Sequence, residues 1–132
     1  MVMATKVGAR RASRGGKRVL VVDDHMDTVD VIAVLLRRLG HIVRTAYRGD
    51  EAIAAAAEFL PECAIVDLQM PGVSGFEVAR YLRDRFGPVH LIALSGWEQR
   101  VRSEDGSFDR YLLKPVDGVT LSHLVEADAG VR

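Results

Sequence analysis

Residues 63–75 read CAIVDLQMPGVSG. Cys63 to Asp67 is an apolar run ending in an acid, and a short run with no polar alternation reads as a strand buried on both faces. Gln69 to Ser74 is turn-rich, and Pro71 and Gly72 shape the loop. The same pattern recurs on either side. Upstream, Lys17–Asp23 (KRVLVVD) is an apolar strand ending in acids. Residues 27–39 then place Val31, Ile32, Leu35, Leu36 and Leu39 on one helical face, with Gly40 as terminator. His41–Thr45 is a second strand. Gly49–Leu60 is a helix with Ala52, Ile53, Ala56 and Ala57 inward, and Pro61 marks its end. Downstream, residues 75–86 form a helix opened by Gly75, with Phe76, Ala79, Leu82 and Phe86 inward. Val89–Leu94 is a fourth strand, residues 97–104 allow about two helical turns, and Arg110–Leu113 is a fifth strand. Residues 117–127 form a last helix with Leu121, Leu124 and Val125 inward.

Strand-then-helix alternation implies an α/β fold: a doubly wound, five-stranded parallel sheet with helices on both faces and right-handed crossovers. Function in such sheets gathers at the carboxyl ends of the strands. Those ends carry Asp23 and Asp24, then Asp67, then Ser95, then Lys114-Pro115; the second strand offers only Thr45, to which no role is given. Three carboxylates, a hydroxyl and an ammonium thus converge on one edge, with Asp67 in the middle of a 2-1-3-4-5 sheet.

Three neighbouring carboxylates repel and raise one another's pKa, so cations must offset them. Lys114 supplies one charge, and a divalent ion would supply two more. An oxygen-only donor set suits a hard ion, Mg²⁺ or Mn²⁺, which keeps several waters and completes its shell with phosphate oxygens. A carboxylate can attack phosphorus to form an aspartyl phosphate, and phosphoryl transfer asks mainly for in-line positioning and charge neutralisation. Asp67 is the expected nucleophile, Asp23 and Asp24 the metal ligands, Lys114 the partner of Asp67 and then of the phosphoryl oxygens, and Ser95 a hydrogen-bond donor to one of those oxygens.

Bulk properties agree. The 132 residues suit one domain. No apolar run approaches the ~20 residues that span a bilayer, and no apolar stretch follows the basic N-terminus. Cys63 is the only cysteine, so no intramolecular disulfide can form, and a cytoplasmic location is expected; the thiol reads as a small core group. Lys6, Arg10, Arg11, Arg14, Lys17 and Arg18 fall in the first 18 residues with no acid, leaving 12 basic and 18 acidic groups beyond them. Residues 1–16 read as a disordered basic tail, 17–128 as the folded domain and 129–132 as a C-terminal tail. The sequence continues only briefly past the last helix, so no DNA-binding domain is expected within it, whether it stands alone or is a piece of a longer protein. His25 reads as a solvent-facing edge residue, since one imidazole among carboxylates is not a zinc set. Trp97 suits either a lid over the site or a partner anchor.

VLVVDDH, VDLQMPGVSGFE, LIALSG and YLLKP, in that order and spanning residues 18–127, resemble the response-regulator receiver family, whose fold is flavodoxin-like. The resemblance implies that Asp67 accepts a phosphoryl group from a histidine kinase or histidine phosphotransfer protein. It implies a Mg²⁺ site at Asp24, Asp67 and the backbone carbonyl of Gln69, with Asp23 acting partly through water. It also implies a cis peptide between Lys114 and Pro115, a switch pair formed by Ser95 and Tyr111, and a downstream partner on the face made by the fourth helix, fifth strand and last helix. Such a domain is a phosphoacceptor rather than an enzyme acting on outside substrates; it catalyses only its own phosphorylation and dephosphorylation. The 19 residues from Ser95 to Lys114 are fewer than the family usually has, which shortens the expected fourth helix. Two rival readings match the residues less well. An unphosphorylated interaction module would be expected to lose Asp67 or Lys114, and both are present. A Mg²⁺-dependent aspartyl-phosphate phosphohydrolase would carry D-x-D after the first strand, where this chain has adjacent acids. A dinucleotide-binding domain is excluded by the missing glycines.

Overall fold

The computed structural model describes residues 16–96 and 108–127. Most of the basic tail, the expected helix at 97–104, Trp97 and the C-terminal residues 128–132 lie outside the described residues. The described residues form five strands: β1 (Arg18–Val22), β2 (Ile42–Ala46), β3 (Cys63–Asp67), β4 (His90–Ser95) and β5 (Arg110–Leu113). The described helices are α1 (Met26–Arg38), α2 (Gly49–Phe59), α3 (Gly75–Phe86) and α4 (Gly118–Glu126), so α4 is the last helix of the sequence reading. All strand pairs are parallel and the sheet order is β2-β1-β3-β4-β5. This is the expected doubly wound topology.

Successive side chains of a strand point to opposite faces, and both faces here are covered. On one, Leu20, Val22, Ala64, Val66, Leu91 and Ala93 pack with Ala52 and Ala56 of α2 and with Val78, Ala79 and Leu82 of α3. On the other, Val19, Val21, Cys63, Ile65, Ile92 and Leu94 pack with Val29, Ile32, Ala33 and Leu36 of α1 and with Leu121 and Val125 of α4. Burial pushes the Cys63 thiol up to about 12, which keeps it protonated as a core group.

The faces of two helices differ from expectation. In α1, Val31 and Leu39 are exposed, at 67% and 43%, while Val29 and Ala33 are buried in their place. In α2, Ala55 joins Ala52 and Ala56 on the buried face, and Ala57 faces water. In both segments apolar residues extend beyond the face that packs, so the edges of that face are not marked by polarity alone. Gly40 does terminate α1, with φ +98 and its N–H donating to the Arg37 carbonyl at 3.0 Å. At the end of α2, Leu60 itself takes the left-handed conformation, φ 55, before Pro61. A non-glycine residue pays for that conformation in steric strain.

The edge of the sheet opposite the acids is held by contacts that periodicity does not show. Lys17 Nζ donates to the carbonyls of Val125, Glu126 and Ala127 at 3.1, 3.1 and 2.7 Å, capping the C-terminus of α4. The Lys17 backbone N–H donates to Nδ1 of buried His41 at 3.1 Å. That bond assigns the ring proton to Nε2, which lies 3.9 Å from Glu126 Oε2. Burial, helped by the charge of Lys17, holds the His41 pKa below 6.5 against the opposing pull of Glu126 and Glu62. A base whose folded pKa is lowered contributes stability that is complete above 6.5 and lost as pH falls below it, because the unfolded chain takes up the proton first. His41→Asn is therefore expected to flatten the fall in melting temperature between about pH 6.5 and 5 relative to wild type, as followed by circular dichroism.

Candidate functional site

The site is assembled by strand register. Val22 of β1 pairs with Val66 of β3, so Asp23 and Asp67 leave adjacent strands side by side. Asp67 pairs with Leu94, and Ser95 with Leu113, which brings Lys114 to the same edge two strands away. The Lys114 N–H donates to the Ser95 carbonyl at 2.9 Å and fixes the start of its loop. Its side chain reaches back, placing Nζ 2.8 Å from Asp23 Oδ2 and 3.2 Å from Asp67 Oδ1. The Lys114–Pro115 peptide is cis.

Asp23 is fully buried and Asp67 is 4% exposed, whereas Asp24 is open to solvent. Two buried carboxylates share one ammonium, so the pocket holds excess negative charge. Burial first and the charge of Asp23 second raise the Asp67 carboxyl to about 6, with Lys114 only partly opposing them. For Lys114, burial works against the charged form, but the contacts with Asp23 and then Asp67 outweigh it and hold its pKa above 10.5.

The residues fit a hard divalent cation. Oδ1 of Asp23 accepts the His25 N–H at 3.0 Å, while buried Oδ2 faces the Lys114 ammonium at 2.8 Å. Asp23, Asp24 and His25 each offer a donor atom within 4.8 Å of the others. Asp67 is outside that trio and is tied to it through Lys114 and Asp23. His25 is exposed. Gln69 is exposed in the loop after β3, and buried Ser95 is the last residue of β4. Tyr111 of β5 is partly exposed. Its ring meets buried Phe108 edge-on at 5.8 Å, and Phe108 meets Phe76 of α3 at 5.9 Å.

Two supports of the site escape a reading of motifs. The first is Gly75, the first residue of α3. A Cβ there would collide with the Asp67 carbonyl oxygen and lie 2.9 Å from both its carbonyl carbon and Leu68 Cα. Glycine lets the helix start against the backbone that carries Asp67. In the sequence Gly75 stands out only as a helix opener and as part of the VDLQMPGVSGFE stretch, neither of which shows its contact with Asp67. The second is the cap of that helix. Ser74 Oγ accepts the Glu77 N–H at 3.2 Å and Glu77 Oε1 accepts the Ser74 N–H at 2.8 Å, a reciprocal capping box. Ser74→Ala is expected to cost about 1 kcal/mol, read as a lower urea midpoint with unchanged slope.

With the acids, the lysine and the hydroxyl residue on one edge of a 2-1-3-4-5 sheet, comparison with known proteins is decisive. A family model described as the response regulator receiver domain matches residues 19–126. The chain belongs to the response regulator receiver family. Response regulator PleD of Caulobacter vibrioides is 39% identical over 109 residues, covering 79% of the receiver and 24% of PleD. Transcriptional regulatory protein ResD of Bacillus subtilis is 34% identical over 74% of the receiver and 42% of ResD. The receiver therefore spans less than half the length of either relative. Among solved structures, TrrA of Thermotoga maritima in complex with Mg(2+)-BeF superposes with a TM-score of 0.76 at 30% identity, covering 83% of the receiver and 96% of that chain. Receiver domains are signalling phosphoacceptors of two-component systems. Among the described residues, no helix of this receiver is long and apolar enough to cross a membrane.

Proposed function

We propose that this receiver takes a phosphoryl group on Asp67 from a histidine kinase or histidine phosphotransfer protein in the cytoplasm. The observation that carries the reading is Lys114 Nζ, held 3.2 Å from Asp67 Oδ1 and 2.8 Å from Asp23 Oδ2. An Asp67 carboxylate oxygen attacks phosphorus as the phosphorus–nitrogen bond of the donor phosphohistidine breaks, and the imidazole leaves with a proton. Lys114 neutralises charge on the transferring group, and its hold on Asp67 keeps the nucleophile in place. Mg²⁺, held by Asp23, Asp24, Asp67 and the Gln69 carbonyl, would supply the remaining charge neutralisation, and Mn²⁺ would serve the same role. The Mg(2+)-BeF complex of TrrA supports this choice of ion.

The product carries about −1.5 to −2 charges where the carboxylate carried one. In this reading Ser95 turns its hydroxyl to a phosphoryl oxygen, and Tyr111 repacks against Phe108. The change is felt by a downstream protein on the face of β5 and α4, where Leu113 and Val119 are exposed, and on the helix expected before β5. Incubation with acetyl phosphate should add one phosphoryl group to the intact mass with Mg²⁺ and none with excess chelator. Equal labelling in both would remove the metal from the account, and no labelling from acetyl phosphate or a phosphohistidine donor would remove the function.

A further inference from the structure

Gly49 opens α2, and its own backbone does not require a glycine. The glycines with positive φ among the described residues are Gly40, Gly72 and Gly87. Within a helix glycine is less favourable than alanine. What requires Gly49 is the loop between Asp67 and α3. A Cβ on buried Gly49 would collide with the Val73 carbonyl oxygen and lie 2.7 Å from Val73 Cβ and 2.9 Å from Val73 Cγ1. Val73 therefore rests on the bare Cα of the neighbouring helix. The same loop is tied at its two ends. The Leu68 N–H donates to the Leu94 carbonyl at 2.9 Å, and the Gly75 N–H donates to the Leu68 carbonyl at 3.3 Å. Between those ties Gln69, Pro71 and Gly72 are exposed, so this stretch is the part free to shift. The start of α2 has less freedom. Ala52 and Ala56 are fully buried against the sheet, and Glu51 Oε1 accepts the Tyr47 N–H at 2.9 Å across the corner.

We propose that Gly49 is a positioning residue for phosphoryl transfer to Asp67: by seating Val73 it fixes the path of residues 68–74 beside the nucleophile. This rests on reading Asp67 as the phosphoacceptor. The loop carries the Gln69 carbonyl and joins Asp67 to the capped start of α3, so a shift at Val73 is passed in both directions. Gly49 has no side chain to react. Gly75 meets the Asp67 backbone itself, whereas Gly49 acts on the loop from the next helix. The corner after β2, whose strand end offers no reacting group, thereby gains a part in the reaction.

The test compares wild type, Gly49→Ala and Ala54→Gly in the full chain, below the melting range of all three. Ala54 is on the exposed face of α2, so glycine there weakens the helix without adding bulk against Val73. In Gly49→Ala, acetyl phosphate labelling at saturating Mg²⁺ is expected to slow at least about tenfold. Calorimetric Mg²⁺ affinity is expected to fall about tenfold. The amide resonances of Gln69, Met70 and Gly72 are expected to move in the metal-free protein. Ala54→Gly should lose stability yet keep the wild-type rate, affinity and loop resonances. Val73→Gly empties the seat without overpacking it and is read where Gly49→Ala does not fold; its labelling is expected to slow several-fold. Wild-type labelling in folded Gly49→Ala or in Val73→Gly, or equal losses in Ala54→Gly, overturns the proposal, and Gly49 then serves the packing of α2 alone. Unlabelled wild type counts against the phosphoacceptor reading. Unmoved loop resonances in Gly49→Ala, with wild type labelled, count against the seat.

Discussion

Asp67→Asn is expected to make the metal-free protein more stable, by on the order of 2 kcal/mol near neutral pH. The carboxyl is buried beside Asp23, and its pKa is lifted from 3.8 to about 6 by burial first and by Asp23 second. A group whose folded pKa is raised contributes stability that is complete below its unfolded value and lost as pH rises through the folded one. Above about 6, wild type therefore carries an ionised Asp67 that the fold disfavours. The shift corresponds to about 3 kcal/mol, which water at the pocket mouth screens toward the smaller figure. Asparagine has nearly the same shape and no charge, and Lys114 keeps Asp23 as its partner. The melting temperature of the variant should exceed that of wild type by roughly 5–10 °C at pH 7.5, and the gap should close toward pH 4. Saturating Mg²⁺ should narrow it too, since an ion that binds only the folded state raises the stability of wild type. A variant less stable than wild type at neutral pH would mean that Asp67 is held mainly by Lys114 rather than opposed by Asp23.

Gly75→Ala should be costly in two ways at once. The added methyl meets the carbonyl carbon and oxygen of Asp67, atoms of a central strand with no freedom to turn aside. Overpacking of this kind costs about 1–3 kcal/mol, which here appears as a melting temperature lower by roughly 5–10 °C. Whatever relief the structure finds must move either the start of α3 or the backbone of Asp67. Displacing a reacting group by ~1 Å costs about a hundredfold in rate, so acetyl phosphate labelling should slow at least tenfold even where the variant is fully folded. Labelling at the wild-type rate in the folded variant would show that the start of α3 gives way instead.

Much of this molecule was legible in the chain, for definite reasons. The strands are apolar runs whose ends are marked by Asp23, Asp67, Ser95 and Lys114, and a parallel sheet brings strand ends to one edge whatever the helices do. Alternation of strand and helix then set the architecture. Helix faces were less legible. In residues 27–39 the apolar residues Val31, Val34 and Leu39 extend beyond the face that packs, and the buried face of α1 takes Val29 and Ala33 and leaves Val31 and Leu39 exposed. Long-range polar contacts were not legible at all. Lys17 reads only as the first residue of the first strand, yet it caps α4 more than a hundred residues away. Asp109 was passed over, yet its carboxylate accepts the Leu91 N–H at 2.9 Å and pairs with Arg83 at 3.3 Å, linking the entry of β5 to β4 and α3. Phe108, just before it, became the buried ring between Phe76 and Tyr111. Such contacts depend on which loops meet in space, and no local pattern carries that information.

The central claim is that Asp67 is the nucleophile. An acyl phosphate, unlike a phosphoester, is reduced by borohydride to the alcohol, so a phosphorylated aspartate becomes homoserine. Peptide mapping after acetyl phosphate, Mg²⁺ and borohydride reads the reacting position directly. The geometry predicts homoserine at position 67 alone, dependent on Mg²⁺ and absent from Asp67→Asn. Homoserine at position 23 or 24, or undiminished labelling in Asp67→Asn, would contradict it.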